Sequence, residues 1–253
     1  MLDQFRVDGK VAVVTGGSRG IGLGIAKGFA EAGATMVVLG RRRDVLDEAV
    51  AEISRLGRPV LGIAGDILAD ATIPDALDRA VAEFGRVDIM VNNAGGSKEK
   101  KWHSLTDVSL DAWDDMIAYN MRHKFWGSQQ AAMRMPDGGR IINIVNRAAF
   151  YPSPGTGTQA AANMAVVAMT RTLADELAPR RITANCIAPG VVYTDQIAEV
   201  FGASAEEIQE QPRWASPLGR IGRPSDIAAA ALYFASPAAE WTTGQCLIVA
   251  GGR

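Results

Sequence analysis

Thr15–Gly22 reads TGGSRGIG and lies between a short apolar run and a segment of helical period. Glycines so placed let the backbone turn tightly and carry its N–H groups up to a pyrophosphate resting on a helix N-terminus. Gly16, Ser18, Arg19, Gly20, Ile21 and Gly22 are the contacts expected there. After the next apolar run comes Gly40-Arg41-Arg42-Arg43, where dinucleotide sites place an acid for the adenosine ribose diol. A carboxylate would repel a 2′-phosphate, whereas a guanidinium binds phosphate as a fork. Arginine at a helix start also opposes the helix dipole. Arg41 and Arg42, with Arg19 in the turn, are therefore read as phosphate ligands. The expected ligand is NADP(H), with NAD(H) second.

Further along, Thr156–Leu177 reads as a helix with Gln159 and Asn163 one turn apart on the same face. An amide has neither a labile proton nor a usable conjugate base, so neither residue can act as a general acid or base. No lysine follows Lys124, and none of Tyr119, Tyr151, Tyr193 and Tyr233 has a lysine four residues on. Tyr151 and Tyr193 are the tyrosines expected near the pocket. His103 follows the run Lys98-Glu99-Lys100-Lys101, read either as a solvated surface or as an anchor for an anionic tail such as a coenzyme A thioester. His123, between Arg122 and Lys124, is expected at the surface or in an interface. Trp102, Trp126 and Trp214 are read as packing, interface or lid residues.

Seven apolar runs must position these groups: Lys10–Thr15, Thr35–Leu39, Pro59–Ala64, Val87–Val91, Arg140–Val145, Ile182–Ala188 and Cys246–Ala250. Helical segments separate them at Ile21–Ala32, Asp44–Leu56, Ala69–Phe84, about Leu110–Met135, and from Thr156. Near-continuous apolar strands alternating with helices predict a parallel sheet covered on both faces and wound in both directions. One α/β domain over residues 1–253 is expected, with a lid-like insertion at about 196–217 that is Pro-bounded at its end.

Bulk properties agree. A net charge of −2 argues against a nucleic-acid or membrane-surface role. No apolar run approaches the ~18–20 residues of a membrane span, and the N-terminus lacks the pattern of a signal peptide. A cytoplasmic location is expected. Cys186 and Cys246, both in apolar settings, offer no metal spacing and are read as inert thiols.

These motifs resemble those of the short-chain dehydrogenase/reductase superfamily, on its 3-oxoacyl-ACP-reductase-like branch, over essentially the whole chain. TGGSRGIG looks like the family's TGxxxGxG turn. Asp66, followed by Ile67, resembles the acid that meets the adenine, and Asn92-Asn93-Ala94-Gly95 resembles its NNAG motif. Pro189-Gly190-Val191-Val192-Tyr193-Thr194 looks like the PGxxxT turn near the nicotinamide. GRIGRPSDIAAAALYFAS and TTGQCLIVAGG are similar to its C-terminal segment. The resemblance implies a Rossmann-type seven-stranded sheet. It implies cofactor contacts at Asp66, Ile67, Asn93, Ala94, Gly95, Pro189, Gly190, Val192 and Thr194. Asn120 matches the asparagine of the family's proton relay. The family's serine, tyrosine and lysine fall on Asn146, Gln159 and Asn163, so all three are substituted.

Three readings follow. The first is a degenerate, non-catalytic or helper subunit of an oxidoreductase assembly, a homo- or hetero-oligomer paired with a competent relative. The second is an oxidoreductase, lyase or isomerase with non-standard residues, acting on a small carbonyl, enoyl or acyl-thioester substrate. The third is a protein that senses NADPH without turning it over.

Overall fold

In a computed structural model, residues 2–96, 103–211 and 216–252 are described. The strands are β1 (Val11–Thr15), β2 (Thr35–Gly40), β3 (Val60–Ala64), β4 (Ile89–Asn92), β5 (Arg140–Ile144), β6 (Thr183–Pro189) and β7 (Cys246–Val249). They form one parallel sheet in the order β3-β2-β1-β4-β5-β6-β7. The helices are α1 (Gly20–Glu31), α2 (Arg43–Ser54), α3 (Thr72–Phe84), α4 (Leu110–Ile117), α5 (His123–Arg134), α6 (Gly157–Leu177), α7 (Asp195–Phe201), α8 (Ala205–Glu210) and α9 (Pro224–Ala235).

Alternation along each strand assigns side chains to the two faces. Ala12 and Val14 pack with Ile25 and Phe29 of α1, Leu46 and Ile53 of α2, and Ile227 and Phe234 of α9. Val11 and Val13 point the other way, into a core with Leu77 of α3, Ala131 of α5 and Ala174 of α6. All five β1 residues are buried, which is why the central strand reads as an unbroken apolar run. Among the described residues no helix is long and apolar enough to cross a membrane.

Two local features depart from the expected pattern. The helix expected over Leu110–Met135 is interrupted: a π-helical turn, Ala118–Arg122, separates α4 from α5. Such a turn inserts one residue into the ladder and re-aims the side chains it carries; Asn120 is one of them. The insertion at 196–217 contains part of α7 and all of α8, the latter held by a reciprocal Ser204–Glu207 capping box. Ile208 on α8 is fully buried, so the segment is anchored on the body of the molecule. Trp102, Trp214 and the run Lys98-Glu99-Lys100-Lys101 lie outside the described residues.

Candidate functional site

Strand order reverses direction between β1 and β4, and a crevice at such a switch point, outside the carboxyl ends of the strands, is where open α/β sheets take ligands. The Gly-rich turn forms one wall. Gly16 and Gly20 have φ of +63° and +56°, in the left-handed region. A Cβ on Gly16 would lie 3.1 Å from the Cα of Ala94, and one on Gly22 would lie 2.2 Å from the carbonyl oxygen of Gly16. Arg19 supplies no side-chain cap to α1, and the helix's own bonds start with Leu23 N–H donating to Arg19 O at 3.2 Å. The first-turn N–H groups are thus left for an acceptor from outside. An uncapped helix start behind a turn with no room for a side chain at Gly16 or Gly22 fits the pyrophosphate of a dinucleotide.

Other expected residues assemble around this turn. Asn93 closes it against β4: its Nδ2 donates to the carbonyls of Thr15 at 2.9 Å and Gly16 at 3.2 Å. The N–H groups of Asn93 and Ala94 both donate to Thr15 Oγ1, at 3.0 and 3.1 Å. Thr194, after Pro189, Gly190 and the buried Val192, sets its methyl carbon 3.2 Å from the Cβ position of Gly20 and caps α7 by accepting from Ile197 N–H. Ser18 Oγ lies 2.8 Å from the Cβ position of Gly40, so the turn and the end of β2 meet. Arg41 and Arg42 follow at once, both exposed; the Arg41 guanidinium lies over the ring of Tyr119, 5.9 Å from its centroid. Arg43 is engaged elsewhere, with Asp47 one turn along α2. Asp66 is exposed and accepts from Leu68 N–H, while Ile67 is buried behind it.

The positions expected to carry proton chemistry hold no ionisable side chain. Asn146 Oδ1 accepts from Ala148 N–H at 2.8 Å, capping a 3-10 turn. Asn163 is buried, and its Nδ2 donates to the backbone carbonyl of Gln159 at 2.8 Å, folding the amide back onto its own helix. Gln159 is half-buried. Asn120 clamps the loop after β4: its Oδ1 accepts from Gly96 N–H at 3.0 Å and its Nδ2 donates to Gly96 O at 2.7 Å. Tyr151 is exposed, and Tyr193 is half-buried with its backbone N–H bonded to Gly222 O.

His123 is not at the surface as its charged neighbours suggested. It is 2% exposed, and its Nε2 lies 2.8 Å from Ala94 O, a geometry that makes Nε2–H the donor. Burial, then the charge of Lys124, pushes its pKa down to about 3, so the ring is neutral. The π turn produces this reversal by rotating α5 so that His123 and Lys124 face the sheet.

A buried polar chain that no sequence motif announces runs beneath the crevice. Asn92 Nδ2 donates to Ser128 Oγ and to Asn143 Oδ1, and Asn143 Nδ2 donates to Thr170 Oγ1. Cys186 Sγ–H donates to Thr170 Oγ1 at 3.2 Å. Gly127 makes room, since a Cβ there would lie 2.1 Å from Asn92 Oδ1. Lys124 stands beside this chain with its amine fully enclosed. No sequence signal marks it, because the π turn shifts the helical phase directly before it. Cys246, the strand neighbour of Cys186, is only partly buried. Among the described residues no cluster of His, Cys, Asp and Glu could hold a metal.

Comparison with known proteins places this architecture. The family model described as Enoyl-(Acyl carrier protein) reductase matches residues 16–253. The chain is similar to the 7alpha-hydroxysteroid dehydrogenase of Escherichia coli K12, 36% identical over 252 residues that cover 99% of this chain and 96% of that protein. It is 33% identical to the 3-oxoacyl-[acyl-carrier-protein] reductase of Chlamydia pneumoniae, over 96% of both chains. A solved 7 alpha-hydroxysteroid dehydrogenase complexed with NADH and 7-oxo glycochenodeoxycholic acid superimposes with a TM-score of 0.91 at 35% identity, over 100% of this chain and 97% of that one. A short chain dehydrogenase from Burkholderia cenocepacia in complex with NADP gives 0.88 at 34%, over 98% of both. The chain belongs to the short-chain dehydrogenase/reductase superfamily, on the 3-oxoacyl-ACP-reductase-like branch. This family binds nicotinamide dinucleotides, and the crevice described above has the form to hold one.

Proposed function

We propose that this chain binds NADP(H) in the crevice between β1 and β4 and serves as a non-catalytic partner in an oxidoreductase assembly. One observation carries the reading. At Asn146, Gln159 and Asn163 the pocket offers amides, two of them already tied to nearby backbone, where family chemistry needs a phenol and an ammonium. A nicotinamide held there would supply a hydride to a carbonyl carbon or accept one from an alcohol carbon, but the oxygen on that carbon must also gain or lose a proton. General acid–base transfer of that kind contributes ~10²–10⁴-fold to a rate, and no side chain at these three positions can deliver it.

The cofactor preference is supported by Arg41 and Arg42, exposed directly after β2, and by Ser18, whose hydroxyl lies against the end of that strand; Arg19 is its neighbour in the turn. Contacts expected from the chain are those of the Gly-rich turn, Asp66, Ile67, Asn93–Gly95 and the segment from Pro189 to Thr194. The assembly is expected to be a dimer or tetramer through α4, α5 and α6, with a competent family member as the partner of a mixed oligomer. A coenzyme A thioester or another small anionic ligand is the expected further guest, and the cytoplasm the expected location.

A second reading is favoured by Lys124, whose enclosed amine lies near Asn120 and Gly95: an oxidoreductase, lyase or isomerase whose proton source has moved to α5. The test is direct. Purified chain is assayed with NADPH on ketones, enoyl thioesters and imines, beside the Gln159→Tyr/Asn163→Lys double variant. The first reading expects tight NADPH binding, turnover of the native chain at least about 100-fold below the double variant, and a family member retained on purification from the native host. Ordinary turnover by the native chain overturns it in favour of the second. In the same titrations Arg41→Ala/Arg42→Ala weakens NADPH about tenfold or more while leaving NADH nearly unchanged, since each charge-assisted bond to the 2′-phosphate is worth ~1.5–3 kcal/mol.

A further inference from the structure

Lys124 is an ionisable group in a fully enclosed setting. Its side chain is 1% exposed. An ammonium has three donors, and among the described residues Nζ makes one hydrogen bond, to the carbonyl oxygen of Asn120 at 3.0 Å. Among the described residues no carboxylate pairs with it. The elements packed around α5 bring few titratable groups. From β6 comes the Cys186 thiol, which hydrogen bonding to Cys246 and burial hold well above the usual thiol range, so it stays protonated. From its own helix comes His123, held neutral. Of the three carboxylates of α3, Asp75, Asp78 and Glu83, Asp78 is taken by Arg134 ten residues further along α5. The neighbouring polar groups of β4, β5 and α6, namely Asn92, Asn143, Asn163 and Thr170, do not titrate. Burial accordingly lowers the lysine's pKa to about 7.

The position of the amine is as telling as its environment. A Cβ on Gly95 would lie 3.0 Å from Nζ and 3.1 Å from Asn120 Oδ1. Gly95 belongs to the loop that closes the crevice, one residue past Ala94, whose Cα touches the Cβ position of Gly16 in the phosphate turn. The amine therefore lies against the glycine backbone of the loop that bounds the crevice. A dinucleotide is an anion, and an anion brought up to a half-protonated lysine across that backbone favours the charged form.

We propose that Lys124 is the proton-exchanging group of this pocket: its amine, lodged beneath Gly95, takes a proton from solvent when the dinucleotide binds and returns it on release. The balance is simple, amine plus proton giving ammonium, with no other reactant. The inference rests on the reading of the crevice as an NADP(H) site. By linkage, whatever raises the lysine's affinity for a proton must gain affinity itself on protonation.

The experiment follows the lysine directly. Lys124 is one of six lysines in the chain, so protein grown with 13Cε-lysine gives few resonances, and Lys124→Met identifies the one of interest. The native protein is titrated over pH 5–11 with and without saturating NADPH, and NADPH binding is followed separately by its fluorescence. The expected result is one lysine with a midpoint near 7 that moves up by at least about one unit with NADPH, matched by a ~10-fold weakening of NADPH affinity between pH 6 and pH 9 that Lys124→Met removes. Lys124→Gln serves if the methionine variant fails to fold. A midpoint near 10 in the free protein overturns the proposal. So does a midpoint near 7 that NADPH leaves unmoved while binding, and in that case the NADP(H) reading stands. Absence of NADPH binding at every pH sinks that reading and the coupling with it.

Discussion

Lys124 and His123 stand side by side at the start of α5, and burial bends both in the same direction. Each binds its proton less readily in the folded chain than in the unfolded one. The unfolded state therefore takes up more protons wherever pH lies between the two values, and stability rises with pH across that window. For Lys124 the window runs from about 7 to the ordinary 10.5. For His123 it runs from about 3 to 6.5. Urea denaturation at a series of pH values should show stability rising by up to ~1.4 kcal/mol per pH unit through the upper window, a slope that Lys124→Met flattens. His123→Gln should likewise blunt the loss of stability on acidification below pH 6. A stability curve indifferent to the lysine would mean that water reaches it. The same residues show what chemical type alone conceals. Read as a string, Arg122-His123-Lys124 is a charged surface triplet. In the fold only Arg122 faces outward, paired with Asp70 across 2.7 Å.

The element that makes the difference is the π turn. Without it, α4 and α5 would be one helix, and the phase of its buried stripe would run on unchanged. With it, Asn120 is aimed at the loop after β4 and bonds both backbone groups of Gly96, much as a neighbouring strand would. Asn120→Ala removes both bonds and leaves two backbone groups to find water. A loss of ~1–3 kcal/mol is expected, together with faster hydrogen exchange at the Gly96 amide; exchange that stays slow would show that the loop holds its shape without the clamp. The seven strands and most helices were legible in the sequence because each carries its own periodicity, strand or helix. The interruption was not, since a single inserted residue alters hydrogen bonding without altering composition. The candidate site divides along the same line. The phosphate turn announces itself through glycines whose spacing only one geometry uses. The buried chain of Asn92, Asn143, Ser128 and Thr170 could not be read, because its members come from β4, β5, α5 and α6 and meet only in the fold.

For the whole molecule, the outer surface of the helices beyond β4 and β5 is the conspicuous region. Leu110 on α4, Phe125 and Met133 on α5 and Met164 on α6 are all exposed, and α4 and α5 both pack against α6. Apolar side chains gathered on adjoining helices mark a contact surface. Sedimentation at micromolar concentration should give a dimer or tetramer, and Phe125→Glu/Met133→Glu should shift it to smaller species with little change in NADPH affinity. A native chain that sediments as a monomer would remove the structural basis for a helper subunit, because such a subunit must have something to join.

Thr194 has a larger part than its place at the head of a seven-residue helix suggests. Its methyl rests against Gly20, and its hydroxyl starts α7. The start of α7 is therefore mortised into the phosphate turn, so that one threonine ties the chain's Gly-rich and Pro-Gly turns together.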